Sequence, residues 1–127
     1  MIPVSPRVIL CVDDEPTGLM ARRLILSIAG YDVLTAASAE AALRIFSRNP
    51  VDLIITDHFL PDLPGTEMAA MMKRLKPQVP IVLLTGSLEP PPGIEHTDLL
   101  LVKGMPPPEF LAAVARLLTK ENGVGSA

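Results

Sequence analysis

Residues 8–16 read VILCVDDEP, and this stretch decides the fold. Its first five residues form a continuous apolar run, which is typical of a strand covered on both faces of a parallel sheet. Two aspartates end the run, and Pro16 stands where the first turn of a helix tolerates proline. The stretch therefore predicts a strand over Val8–Val12, an acidic turn, and a helix directly after it.

Three further apolar runs repeat this arrangement: residues 51–56, 81–84 and 99–102. Each of them leads into a polar side chain that can do chemistry, namely Asp57, Thr85 and Lys103. The carboxyl ends of parallel strands share one edge of an open α/β sheet, and ligands bind at that edge. The sequence therefore predicts that these three side chains converge with Asp13 and Asp14.

Helical periodicity fills the intervals between the runs. The first helix is predicted over residues 17–29, with Asp14 or Glu15 near its N-terminus and Gly30 as its stop. Its apolar residues recur at intervals of three and four, which predicts one buried face. That face consists of Met20 or Ala21, Leu24, Ile25 and Ile28.

A second helix is predicted from an N-cap at Ser38 to Asn49-Pro50, after a short strand over residues 32–36. Its buried face consists of Ala39, Ala42, Leu43 and Phe46. A third helix covers residues 66–75, and a last one opens at Pro107 and Glu109. Five strands that alternate with helices predict a flavodoxin-like, doubly wound α/β fold with a parallel sheet in the order 2-1-3-4-5.

The segment between the fourth and fifth strands departs from this alternation. Residues 87–98 read SLEPPPGIEHTD, with three consecutive prolines. Proline lacks a backbone donor and pushes the preceding residue toward extended geometry, so a full helix cannot start before Pro92. The helix expected here is therefore reduced to a turn or missing.

Composition predicts a single globular domain with a core over about residues 7–120 and a flexible tail over 122–127. Of the 127 residues, 49% are hydrophobic and 20% charged, so the chain can bury a real core. The net charge of −3 and scattered basic residues argue against a nucleic-acid partner. The densest basic clusters, Arg22-Arg23 and Lys73-Arg74-Lys76, are predicted to be solvated helix edges.

The single cysteine, Cys11, excludes an internal disulfide and fits a reducing compartment. It lies inside the first apolar run, where an inert core thiol is expected. No stretch reaches the roughly 18 to 20 apolar residues of a membrane span, and the N-terminus lacks the pattern of a signal peptide. The expectation is a cytoplasmic protein without a membrane partner.

Three carboxylates at one sheet edge repel one another. Two like charges about 5 Å apart cost roughly 3 kcal/mol at an effective dielectric of 20. A divalent cation relieves this repulsion, and hard oxygen ligands suit Mg²⁺. One carboxylate can then attack a phosphoryl group and form an acyl phosphate. Lys103 is placed to pair with the phosphoryl oxygens, and Thr85 to donate a hydrogen bond to them.

The motifs at these positions resemble those of response-regulator receiver domains of bacterial two-component signalling, of the stand-alone type. They are V-D-D-E-P at residues 12–16, D-x-x-L-P-x-x-x-G at 57–65, L-L-T-G at 83–86, and the strand-terminal Lys103. The resemblance implies that Asp57 accepts a phosphoryl group from the phosphohistidine of a sensor histidine kinase or histidine phosphotransfer protein. It implies direct Mg²⁺ ligation by Asp14 and Asp57.

The resemblance also implies a water-mediated metal contact for Asp13 and a backbone carbonyl ligand at Phe59. Thr85 becomes the switch hydroxyl and Lys103 the cation that pairs with the phosphoryl group. Such a domain is a signalling phosphoacceptor for an unidentified downstream protein, with self-phosphotransfer and self-dephosphorylation as its only reactions.

Three departures from the family pattern lie in the part of the domain that would transmit the signal to a partner, between Thr85 and Gly104. Gly104 follows Lys103 where the family usually has proline, and Leu101 stands where many members have Tyr or Phe. The third is the reduced helix. An alternative is a degenerate interaction module that works without phosphate. A metal-dependent phosphohydrolase is disfavoured, because Phe59 stands two residues after Asp57 where such enzymes usually carry an acid.

Overall fold

The computed structural model describes residues 5–87 and 89–122, the side chains of 120–122 excepted. The predicted tail lies, from residue 123 onward, outside the described residues. The strands are β1 (Val8–Val12), β2 (Asp32–Ala36), β3 (Leu53–Asp57), β4 (Ile81–Thr85) and β5 (Leu99–Val102). The helices are α1 (Pro16–Ile28), α2 (Ala39–Arg48), α3 (Gly65–Leu75) and α4 (Pro107–Asn122), with a 3₁₀ turn at Ile94–His96.

The five strands form one parallel sheet in the order β2-β1-β3-β4-β5. This confirms the predicted flavodoxin-like topology. In the register, Val12 lies beside Thr56, and Asp57 beside Leu84. The carboxyl ends of β1, β3 and β4 therefore meet at one edge, and the polar residues that follow them are brought together there.

Residues of β1, β3 and β4 enter two separate cores, one on each face of the sheet. Leu10 and Ile54 belong to the core that contains residues of α2 and α3. Ile9 and Ile55 belong to the core that contains residues of α1 and α4. Strands covered on both faces in this way read as continuous apolar runs, which is why their positions were visible in the sequence.

Helix α2 follows its prediction closely. Ser38 caps it by accepting a hydrogen bond from the Ala41 N–H at 3.1 Å. Ala39, Ala42 and Phe46 are fully buried, and Leu43 packs against the same core. The helix is strongly amphipathic, so its sequence pattern alone determines which face is buried.

Helix α1 corrects its prediction. Met20, Leu24 and Ile28, three residues of the predicted buried face, are 71%, 59% and 78% exposed. The face turned toward the sheet instead carries Leu26, which is fully buried, and Arg22, whose side chain is 16% exposed. Arg22 forms an ion pair with buried Asp13, and Leu19 and Ile25, the latter a residue of the predicted face, pack against the same core as Leu26.

The segment between β4 and β5 confirms the reduced helix: its only described helical element is the turn Ile94–His96. Asp98 anchors the end of this segment. Its Oδ2 accepts hydrogen bonds from Lys73 Nζ and from the Ile81 N–H, each at 2.7 Å. The turn is thereby held against α3 and the start of β4.

Two basic residues predicted to be solvated are instead structural. Lys73 Nζ also donates to the Val79 carbonyl at 2.9 Å. Lys76 Nζ donates to the carbonyl oxygens of Phe46 and Asn49 at 2.7 and 2.9 Å, so it closes the C-terminal end of α2.

Among the described residues, no helix is long and apolar enough to cross a bilayer.

Candidate functional site

Three carboxylates form a cluster at the carboxyl edge of the sheet. Asp13, Asp14 and Asp57 each offer one carboxylate oxygen, and these atoms lie within 4.8 Å of one another. Asp13 and Asp57 are buried, whereas Asp14 is exposed. The sequence prediction that these aspartates converge is thus matched by the geometry.

Asp13 is held by the turn between β1 and α1. Its Oδ1 accepts a hydrogen bond from the Glu15 N–H at 3.0 Å, and its Oδ2 pairs with Arg22 Nη2. Glu15 in turn caps α1 by accepting from the Gly18 N–H at 2.8 Å and the Thr17 N–H at 3.2 Å. The VDDEP stretch therefore starts the helix and fixes the acid in one turn.

Asp57 ends β3 with its two carboxylate oxygens in different surroundings. Oδ2 lies 3.0 Å from Lys103 Nζ. Oδ1 is buried without a hydrogen-bond partner in the described part of the chain. A buried carboxylate oxygen without a partner is costly, so the pocket fits a cation or another group that binds this atom.

Gly65 allows α3 to begin directly against Asp57. A Cβ at position 65 would lie 3.0 Å from His58 Cα and 3.2 Å from the Asp57 carbonyl carbon. The Gly65 N–H donates to the His58 carbonyl at 2.6 Å, which closes the loop that begins at Asp57. The glycine of the D-x-x-L-P-x-x-x-G motif is therefore required by close backbone approach.

Lys103 reaches the cluster from the end of β5. Its N–H donates to the Thr85 carbonyl at 2.8 Å, and its Nζ lies 4.0 Å from Asp13 Oδ2. Gly104 directly after it has a φ of +89°, a left-handed conformation that proline cannot adopt. The backbone of the turn after β5 therefore differs from the conformation that a proline at position 104 would require.

Thr85 and Phe59 flank the cluster. Thr85 is buried at the end of β4, and its hydroxyl donates to the Ser87 carbonyl rather than to a group of the pocket. The Phe59 side chain is 75% exposed and contributes no polar side-chain atom to the pocket. The structure therefore brings the three aspartates and Lys103 together, whereas the Thr85 hydroxyl is turned toward the segment that follows it. The backbone carbonyl ligand at Phe59 stays a prediction.

Sequence reasoning missed two charged residues near the site. Arg22 was assigned to the solvent, although its spacing of three and four residues from Leu19 and Leu26 places it on the buried face. Asp62 was not singled out; it accepts hydrogen bonds at 2.9 Å from the first two N–H groups of α2. These N–H groups, led by that of Ala39, lower the pKa of Asp62. Asp62 thereby ties the loop after Asp57 to α2.

Cys11 lies beneath the cluster and takes no part in it. The side chain is fully buried in the core that contains residues of α1 and α4, as expected for a core thiol. Burial is the main cause that raises the pKa of this thiol to about 12, so the thiolate needed for nucleophilic chemistry does not form near neutral pH.

The family model of the response regulator receiver domain matches residues 9–115. The transcriptional regulatory protein GlrR of Escherichia coli is 34% identical over 94 residues, which are 74% of this chain and 21% of that protein. The alkaline phosphatase synthesis transcriptional regulatory protein PhoP of Bacillus subtilis is 34% identical over 118 residues, 90% of this chain and 49% of that protein. The chain thus spans half or less of the length of these two relatives.

Solved structures of response-regulator proteins are also similar to this chain. A CheY-like receiver domain protein from Methanospirillum hungatei superposes with a TM-score of 0.85 at 29% identity, over 93% of this chain and 98% of that one. The response regulator TrrA from Thermotoga maritima, solved in complex with Mg(2+)-BeF, gives 0.83 at 31% identity, over 87% and 98%. With the matched fold and the acidic cluster, these findings show that the chain belongs to the response-regulator receiver domain family of two-component signalling.

Proposed function

We propose that Asp57 accepts a phosphoryl group from the phosphohistidine of a sensor histidine kinase or a histidine phosphotransfer protein. The observation that carries the proposal is the asymmetry of the Asp57 carboxylate. One oxygen lies 3.0 Å from Lys103 Nζ, and the other is buried without a partner. A nucleophile needs a free oxygen, and phosphoryl transfer needs a cation beside it to neutralise charge.

In this reaction, a carboxylate oxygen of Asp57 bonds to phosphorus while the bond from phosphorus to the histidine nitrogen breaks. The nitrogen keeps the electron pair, and the imidazole leaves neutral because its other nitrogen carries the proton. The Lys103 ammonium remains at the carboxylate and pairs with the phosphoryl oxygens as their charge shifts. The product is an acyl phosphate on Asp57.

The acidic cluster fits Mg²⁺ as cofactor, since its three carboxylates are hard oxygen ligands that offer oxygen atoms within 4.8 Å of one another. We assign direct ligation to Asp14 and Asp57, a water-mediated contact to Asp13, and a backbone carbonyl ligand to Phe59. When bound, Mg²⁺ neutralises charge between these carboxylates and the phosphoryl oxygens. The structure of the relative TrrA, solved in complex with Mg(2+)-BeF, supports Mg²⁺ as the ion of this pocket.

The output is proposed to run through the segment between β4 and β5 to a partner protein. Thr85 donates its hydroxyl to the Ser87 carbonyl, at the start of that segment. A phosphoryl group on Asp57 offers this hydroxyl a charged acceptor, and charged acceptors form the stronger hydrogen bonds. Leu101 has no aromatic ring, so the signal is transmitted by the segment and not by a Thr–aromatic pair.

Phosphorylation with a small donor tests the proposal. Wild type and Asp57→Asn are incubated with acetyl phosphate and Mg²⁺, and intact mass is measured with and without hydroxylamine, which cleaves acyl phosphates. Wild type should gain one phosphoryl group that hydroxylamine removes, and Asp57→Asn should gain none. Equal labelling of both proteins would exclude Asp57 as the acceptor.

The second candidate is the interaction module that works without phosphate, and one observation favours it. The Arg22 guanidinium already neutralises Asp13, so the pocket is partly compensated without a metal. The same incubation separates the two functions, because a module of this kind gains no phosphoryl group at any donor concentration. In either case we propose that this receiver domain works in the reducing cytoplasm and is no enzyme toward separate substrates.

A further inference from the structure

Arg22 is a second cation in the acidic cluster. It extends from the second turn of α1 to Asp13 Oδ2, and its side chain is only 16% exposed. Gly18, one turn earlier, lies beside it: a Cβ at position 18 would make ordinary contacts of 3.4 and 3.5 Å with the two terminal guanidinium nitrogens. Arg22 thus reaches the pocket from the face of α1 that is turned toward the sheet.

The charge balance of the cluster follows from this contact. Three carboxylates, those of Asp13, Asp14 and Asp57, face two cations, Arg22 and Lys103. The net charge of the cluster is therefore about −1. Without Arg22, with Lys103 as the only cation, it would be about −2. A cation that is fixed by the fold supplies part of the neutralisation that a divalent cation would otherwise provide.

We propose that Arg22 is an internal competitor of the divalent cation and sets the metal affinity of this pocket. The proposal rests on the proposed function, because it concerns the same Mg²⁺ site. Asp13 uses Oδ1 for the Glu15 N–H and Oδ2 for the guanidinium. A metal-bound water that approaches Asp13 must therefore displace or share the arginine, and metal binding is weakened by the lost ion pair.

Arg22 also forms part of the wall of a cavity. Its volume is about 200 Å³, and it lies between α1 and the turn after β5. Its lining includes Ala21, Ile25, Lys103 and Phe110 besides Arg22 itself. If metal binding moves the guanidinium, one wall of this cavity changes. The surface between α1 and α4 then differs between the metal-free and the metal-bound protein.

The test compares Arg22→Gln with Arg23→Gln by titration calorimetry with Mg²⁺ at constant ionic strength. The second variant removes the same charge from the adjacent, exposed position. Arg22→Gln should bind Mg²⁺ about tenfold more tightly than wild type, equivalent to about 1.4 kcal/mol. Arg23→Gln should stay within about twofold, because solvent screens its charge. A residue that only supports the fold would weaken metal binding when removed, not strengthen it.

Equal or weaker Mg²⁺ binding by Arg22→Gln would overturn the competition while leaving the proposed function intact. Absence of Mg²⁺ binding in both wild type and Arg22→Gln would overturn both proposals. A measurement on the wild type covers the case in which Arg22→Gln does not fold. The Nε–H signal of Arg22, assigned through its own backbone, should shift during a Mg²⁺ titration while that of Arg23 stays in place; an unmoved Arg22 signal contradicts the competition.

Discussion

Replacing Asp98 by alanine should destabilise the fold without impairing phosphoryl acceptance. Its Oδ2 accepts two hydrogen bonds of 2.7 Å, one from Lys73 Nζ and one from the N–H of fully buried Ile81. These contacts lie at the start of β4, at the opposite edge of the sheet from Asp57. The variant therefore separates the anchoring of the segment before β5 from the chemistry of the pocket.

The magnitude follows from the two contacts. A buried N–H left without an acceptor costs about 1–3 kcal/mol. The ion pair with Lys73 is partly exposed on both sides and contributes about 0.2–1 kcal/mol. The free energy of unfolding should therefore fall by about 1–4 kcal/mol in Asp98→Ala, and by less than about 1 kcal/mol in Asp98→Asn, which keeps an acceptor for Ile81.

Urea unfolding followed by circular dichroism measures the difference. Glu89→Ala is the matched control, since it removes an exposed acid from the same segment and should change stability by less than about 0.5 kcal/mol. Asp98→Ala with wild-type stability would refute the assignment of Asp98 as the anchor. Loss of acetyl phosphate labelling in a folded Asp98→Ala would refute the separation of anchor and pocket.

Three further predictions concern the pocket and its surroundings. Gly104→Ala should lower the free energy of unfolding in urea by about 1–2 kcal/mol because φ is +89°, whereas Gly86→Ala, at an open position without a left-handed φ, should change it little. The pKa of Asp62 is lowered by two N–H groups of α2, so the wild type should be more stable than Asp62→Ala above pH 3.8. Thermal unfolding at stepped pH should show this difference in stability vanish as the pH falls through the lowered pKa of Asp62 in the folded state. Lys103→Met should slow acetyl phosphate labelling of Asp57 by tenfold or more, since Nζ lies 3.0 Å from the carboxylate, while Mg²⁺ binding measured by calorimetry persists.

Each of these has a contradicting result. A pH-independent difference between wild type and Asp62→Ala would mean that the contacts of the carboxylate with α2 do not stabilise the fold. A stable Gly104→Ala would place the glycine in an ordinary conformation. Unchanged labelling kinetics in Lys103→Met would remove the lysine from the reaction.

The elements best predicted from the sequence are those whose structure is determined by residues close together in the chain. The strands that flank the pocket are buried on both faces, and their apolar runs end where the sheet ends. Helix α2 combines an N-cap at Ser38 with apolar residues at helical spacing, so both its start and its buried face follow from neighbouring residues. The reduced helix follows from the consecutive prolines, which act on the backbone directly.

The features that escaped prediction depend on contacts between distant residues. The face of α1 was misassigned because its apolar residues fit two stripes, and only packing against the sheet, together with the contact of Arg22 with Asp13, distinguishes them. Lys76 was expected in solvent because nothing near it in sequence indicates the carbonyl groups at the end of α2. The partner of the Thr85 hydroxyl likewise depends on the path of the following segment. The metal and phosphoryl roles remain predictions, since the geometry brings the residues together without testing their chemistry.

Borohydride reduction of the phosphorylated protein tests the central claim most directly. The reagent converts an aspartyl phosphate to homoserine, and peptide mass spectrometry then locates the converted residue without any substitution in the chain. We predict homoserine at position 57 alone, formed only when Mg²⁺ and acetyl phosphate are both present. Conversion at Asp13 or Asp14, or no conversion after a donor has labelled the protein, would contradict the assignment of Asp57 as the phosphoacceptor.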